Sequence, residues 1–125
     1  MREIEFRGQN INGRWAHGNL AIIKEKLDRA EIGAYISNSA GAPFAYQVRP
    51  ETVGQYTGLK DKTARRFFEG DIGWDEHNEC CGVVKFEEGK FLYVWENLAE
   101  DLWEVADDIE ICGNIHENPE LLEEK

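Results

Sequence analysis

Five side chains of this 125-residue chain are soft metal ligands grouped in two short runs, His77-x-x-Cys80-Cys81 and Cys112-x-x-x-His116. Thiolate and imidazole are the donors that zinc takes in structural sites. The spacing contains no Cys-x-x-Cys knuckle, however, and adjacent residues of a strand point to opposite faces, so Cys80 and Cys81 are poorly placed to share one ion. The expectation is buried cysteines and surface histidines, with no metal and no cofactor. Carboxylates also come in pairs: Glu69 with Asp71, Asp75 with Glu76, Glu87 with Glu88, and Asp107 with Asp108. Paired carboxylates raise one another's pKa or hold a divalent ion, and a metal-dependent hydrolase using them is one reading of the chain. Eighteen carboxylates in the last 59 residues generate such pairs by number alone, which favours a solvated acidic face. Glu69 and Asp71 are the pair to test first, because Gly70 between them marks a turn; a turn hydrogen bond from Asp71 is the simpler account. There is no phosphate-binding loop, serine elbow or His-Glu-x-x-His, His17 has no neighbour that marks it as a base, and no basic helix terminus adjoins a cysteine. No residue earns a catalytic role, and the chain is read as a non-enzyme.

Charge is distributed unevenly along the sequence. Before Phe67 there are eleven Lys or Arg against seven Asp or Glu, and from Phe67 onward three against eighteen, so the halves carry formal charges of +4 and −15. A total of −11 repels nucleic acid, which argues against direct binding, although Arg49, Lys60, Lys62, Arg65 and Arg66 can form a local basic patch with Tyr56, Phe67 or Phe68 as stacking partners. The preferred reading puts those aromatics in the core and lets the cations solvate a loop. Polarity of this kind suits homo-oligomerisation, with Lys60, Lys62, Arg65 and Arg66 set against a neighbour's Asp101, Glu104, Asp107 and Asp108. Trp103, Leu121 and Leu122 are then the apolar anchors. The alternative partner is a host DNA- or RNA-binding protein whose basic surface the acidic half occupies.

With 42% hydrophobic and 11% aromatic residues the chain has enough material for a core despite its charge. No apolar run approaches the roughly 20 residues of a membrane-spanning helix, and the start lacks the apolar stretch of a signal peptide. Three cysteines, two of them adjacent, suit a reducing compartment, and the cytoplasm of a bacterial host cell is the expected location.

The elements that must position these residues read mostly as strands. Residues 2–23 suggest a β-hairpin turning at Asn12-Gly13, with Trp15 packed on the core. Lys24 to Glu31 reads as an exposed connection, Ile32 to Ile36 as a short strand, Ser37 to Pro43 as a loop, residues 44–49 as another strand and Pro50 to Thr52 as a helical turn. The glycine-punctuated stretch from Pro50 to Gly73 reads as tightly turned chain with buried anchors, its turn at Glu69-Gly70-Asp71 leading to a strand at Ile72. Gly82 to Phe86 and Phe91 to Trp95 form a hairpin, residues 98–106 a short helix with Asn97 as its cap, and Ile109 to Ile115 a closing strand. Pro119 opens a last helical turn. The expected fold class is mainly β, with an N-terminal β-hairpin region over residues 1–66 joined to an acidic SH3-like small barrel or sandwich over residues 67–125, and with short helical segments.

The run Glu-Thr-Val-Gly-Gln-Tyr-Thr-Gly-Leu-Lys-Asp-Lys at 51–62, followed by Phe68-Glu69-Gly70-Asp71-Ile72, resembles the signature of the YopX family of phage and prophage proteins. The opening Met1 to Gly8 and the closing Gly113 to Leu122 are similar to that family's ends, so the resemblance spans nearly the whole chain in order. Where the family has Asn-Gly after the Lys-Asp-Lys and Tyr before the Glu-Gly-Asp, this chain has Thr63-Ala64 and Phe68. The resemblance implies a mostly β fold, self-association and phage ancestry, and implies no particular reaction or ligand. The function expected is that of a non-enzymatic, self-associating interaction or structural module.

Overall fold

Alternation of apolar and polar residues at the start of the chain folds as a hairpin between β1 (Phe6–Gln9) and β2 (Trp15–Ile23), in the register Phe6↔Gly18 to Gln9↔Trp15. Its turn is not the two-residue Asn12-Gly13 loop expected. The Gly13 amide donates to the Asn10 carbonyl, Gly13 itself sits at φ 85°, and the Asn10 amide donates to the Arg14 carbonyl. This is the three-residue loop, a turn over residues 10–13 whose last residue is the left-handed glycine. Asn10 selects it, because its Oδ1 accepts the amides of both Asn12 and Arg14 at 2.9 Å.

The computed structural model describes residues 4–25, 32–37 and 45–122. The connection expected from Lys24 to Glu31 and the loop from Ser37 to Pro43 fall largely outside the described residues, as does the start of the strand expected from Phe44. The chain divides into two units, residues 1–56 and 57–125, whereas the sequence reading drew its division after Arg66. In the first unit β3 (Gly33–Ser37) pairs with β2, and β4 (Tyr46–Val48) pairs with β3. A 3-10 turn, Pro50–Thr52, then leads to β5 (Gly54–Lys60), whose first residues pair with β1, so the strand order is β4-β3-β2-β1-β5. Ala34, Ile36 and Val48 form the buried centre, with Phe6, Ala16, Leu20 and Val53 packed around it.

Residues 54–60 are thus a seven-residue strand rather than tightly turned chain. The glycines that suggested turns are accommodated within it, Gly58 at φ 87°. The far end of β5 carries β6 (Arg66–Phe68), with the Thr57 hydroxyl donating to the Phe67 carbonyl at 3.0 Å.

In the second unit β7 (Asp71–Asp75), β8 (Cys80–Glu87), β9 (Lys90–Trp95), β10 (Leu98–Asp101) and β11 (Ile109–Asn114) form one antiparallel sheet in the order β10-β9-β8-β7-β11. The SH3-like barrel or sandwich expected here is not formed. The last strand adds to β7 instead of closing on β10, which leaves one open sheet with two separate edges. The fold is mainly β, with a single short α-helix among the described residues. That helix, α1 (Leu102–Val105), occupies only half of the expected span, since residues 98–101 pair with β9 as β10. Its N-cap is Asp101, not Asn97, and Asp101 makes no side-chain cap. A run of four residues satisfies its backbone more fully by pairing with an available strand than by extending so short a helix.

Tyr93 is the centre of this unit. It is fully buried with Phe67, Val84, Leu102 and Ile109, and its hydroxyl donates to the Gly73 carbonyl at 3.0 Å. The ring lies so close to β8 that a Cβ on Gly82 would come within 2.5 Å of it, so only glycine fits there. Burial first, and the neighbouring Cys80 and Asp75 after it, push the Tyr93 phenol far above its ordinary range.

Candidate interaction surface

The residues singled out by chemistry are dispersed by the fold. Cys80 and Cys81 are adjacent in β8 and pair with Asp75 and Trp74 respectively. Cys112 lies at a register shift in β11, where its thiol donates to the Ile72 carbonyl at 3.5 Å and hydrogen-bonds Cys81. Burial first, then Cys81, pushes the Cys112 thiol up to about 11, and burial with Asp75 raises Cys80. A raised pKa leaves less of the thiolate, the form that acts as a nucleophile. His77 belongs to the turn after β7, while His116 lies beside Gly70. Among the described residues no three His, Cys, Asp or Glu side chains come close enough to hold a metal ion.

Several carboxylates prove to be parts of turns. Asp71 is buried and accepts the Phe68 amide at 2.7 Å, and Asp75 accepts the amides of His77 and Asn78 and the Asn78 side-chain amide. Asn114 and Asn118 brace the chain after β11 in the same way.

Asp61 does most. One oxygen accepts the Thr63 amide (2.8 Å), the Thr63 hydroxyl (2.9 Å) and the Arg65 amide (2.8 Å), and the other accepts the Ile111 amide at 2.8 Å. The Arg65 guanidinium lies beside it at 3.6 Å and donates to the Ile111 carbonyl, while the Lys62 amide donates to the Ile109 carbonyl at 2.9 Å. Residues 61–65 therefore take up backbone groups of β11, an edge strand whose groups would otherwise be open to pairing with another chain. The basic loop is a sheet-edge cover. Its turn places Ala64, which stands where the resembled signature has glycine, at φ 72°, with the Ala64 amide donating to the Asp61 carbonyl.

Its cations are partly engaged within the chain. Lys62 meets Glu76 at 3.5 Å, Arg65 meets Asp61, and Arg66 lies over the Phe68 ring at 5.8 Å. Tyr56, Phe67 and Phe68, the stacking partners considered for a nucleic acid, are buried. On the acidic side, Asp101 pairs with Lys90 at 3.0 Å. Lys62, Asp75, Glu76, His77, Asn78, Glu100, Val105, Asp107 and Asp108 line one cleft of about 660 Å³, so two of the four acidic pairs converge there. Glu69, half-buried, is not among them.

Of the three expected apolar anchors, Trp103 is 68% exposed on α1. Leu121 and Leu122 lie in a 3-10 turn, Pro119–Leu122, that packs on β8 and forms one wall of a groove with Trp74, Val83 and Val94. Leu98, 50% exposed on β10, was missed, because the expected helix assigned it to a buried stripe. The strand signal that would have found it was weak, being only four residues between two turns.

A family model described as YopX protein matches residues 5–123 of the chain. Among solved structures, the fold is similar to the crystal structure of protein EF1440 from Enterococcus faecalis, at 22% identity and a TM-score of 0.61, with 98% of this chain and 100% of that one covered. A search of curated proteins gave no match.

Proposed function

This chain belongs to the YopX family, and from that premise we propose that it is a non-enzymatic phage or prophage module that works by self-association in the reducing cytoplasm of a bacterial host. The observation that carries the proposal is Trp103, an indole 68% exposed beside the acidic residues Asp101, Glu104, Asp107 and Asp108, with Leu98 exposed on the neighbouring edge strand. An exposed aromatic with a charged rim has the anatomy of an interface anchor. Burying it contributes about 2–3 kcal/mol. Because Lys62 and Arg65 already have partners in their own chain, charge sets orientation here and the apolar anchors supply affinity. Light scattering at micromolar concentration tests the proposal. An oligomer that Trp103→Ala shifts to monomer is expected, and a monodisperse monomer of the parent protein in physiological salt overturns it.

A second reading has its own observation. The cleft that gathers Asp75, Glu76, Glu100, Asp107 and Asp108 around the single cation Lys62 is suited to the basic surface of a host DNA- or RNA-binding protein. Competition between this protein and DNA for a captured host factor would support that reading. Recovery of no nucleic-acid-associated protein in a pull-down would remove it.

A further inference from the structure

We propose that the first unit carries a nucleotide-binding site on its β1–β2 hairpin, formed by Asn10, Arg14, Trp15 and Tyr46. These residues, with Ala16, line a cavity of about 270 Å³, large enough for a base and its sugar. Among the described residues no carboxylate lines it, in contrast to the acidic cleft and to the groove beside Trp74, which contains Glu79 and Glu96. The unit as a whole has seven Lys or Arg against six Asp or Glu, a formal +1, while residues 57–125 have seven against nineteen, a formal −12. Screening over about 8 Å in physiological salt lets the local balance at the hairpin decide what binds there.

Each lining group has a role that follows from its chemistry. The Arg7 guanidinium lies 4.6 Å from the Trp15 ring centroid and braces the indole, which orders the ring without any ligand. Tyr46, 38% exposed on edge strand β4, supplies a second ring, and two aromatic rings beside one cavity form a platform on which any base can stack. Arg14 is exposed and its backbone is pinned by the Asn10 side chain, so its guanidinium is presented from a fixed turn to take a phosphate. Asn10 uses its Oδ1 within the turn, which leaves its amide NH2 as a donor for a base edge or a phosphate. The site is distinct from the basic loop at 60–66, whose neighbouring aromatics are buried.

The phosphate and base could belong to a free nucleotide or to a single strand, and the experiment separates these. Fluorescence anisotropy with labelled dT12 and calorimetry with adenosine 5′-monophosphate are run on the full chain and on Arg14→Ala, Tyr46→Ala and Arg66→Ala. Binding of at least one probe is expected, weakened roughly tenfold by Tyr46→Ala or Arg14→Ala and unchanged by Arg66→Ala. Binding of dT12 alone assigns the site to a strand, and equal binding of the monophosphate assigns it to a free nucleotide. Absence of binding by either probe at millimolar concentration overturns the proposal, as does binding that survives both hairpin substitutions. Tyr46 and Arg14 are exposed, so their variants fold; thermal unfolding at the parent temperature verifies this.

Discussion

At the residue scale, Ala64 stands where the signature this chain resembles has glycine, and Asp61, which the signature shares, organises the turn that holds it. Ala64 occupies the left-handed region, at φ 72°, where an L-residue with a Cβ is strained. Replacing it by glycine is expected to stabilise the protein by about 1 kcal/mol, since the strain relieved exceeds the added entropy of the unfolded chain. Urea denaturation measures this, and a loss of stability would refute it. For Asp61, burial alone would raise the carboxyl pKa, but hydrogen bonds from Ile111, Arg65 and Thr63 hold it below its ordinary value of 3.8. A depressed folded value means that the ionised form stabilises the fold. That contribution is complete above the unfolded value of about 4 and disappears as the pH falls through the folded value. Asp61→Asn is therefore expected to cost about 3 kcal/mol at pH 7 and less as the pH falls below about 4. Denaturation curves of both proteins at pH 7 and pH 3 show whether the gap narrows.

At the element scale, the open sheet of the second unit has two edges protected in different ways. β10 carries Glu100 and Asp101, and like charges on a facing strand oppose its pairing with a second β10. β11 is covered by residues 61–65 through the Lys62 amide, the Asp61 carboxylate and the Arg65 guanidinium. Removing the cover with Asp61→Ala and Arg65→Ala together is expected to speed hydrogen exchange at the Ile111 amide and to produce concentration-dependent association of a kind the parent protein lacks. Exchange read residue by residue by NMR, with light scattering over a concentration series, tests it; an Ile111 amide as protected as in the parent would show that the loop does not guard this edge. The strands flanking Tyr93 were legible in the sequence, because Phe91, Tyr93 and Trp95 alternate cleanly with polar and aliphatic neighbours. Residues 98–101 were not, because Leu98 and Leu102 are spaced for a helix as well as for consecutive short elements, and only pairing with β9 decides between them.

At the scale of the whole molecule, charge opposes self-association and apolar anchors favour it. Net charge is −11, and several of the cations expected to bridge subunits are engaged at home. Added salt is thus expected to strengthen association, by screening repulsion between copies, where a contact held by intersubunit ion pairs would weaken. Sedimentation at 50 and 500 mM salt gives the sign directly. Dissociation at high salt would return the basic loop to the interface.

The sequence by itself determined the mostly β character, the family, the polarity of charge, and the placement of Tyr56, Phe67 and Phe68 in the interior, because each rests on local pattern or on residue type. Only the tertiary structure decided that the acidic half is an open sheet and that the basic loop is its edge cover. Both depend on which strand β11 joins, and strand order is set by pairings between residues far apart in sequence, such as Ile111 with Gly73 and with Asp61, that no local spacing encodes. The cavity at Trp15 and Tyr46 has the same origin, for the two residues lie 31 positions apart and line one cavity only because the chain leaving β4 returns to β1, with Val48 against Gly8 and the Arg49 amide donating to the Gln9 carbonyl.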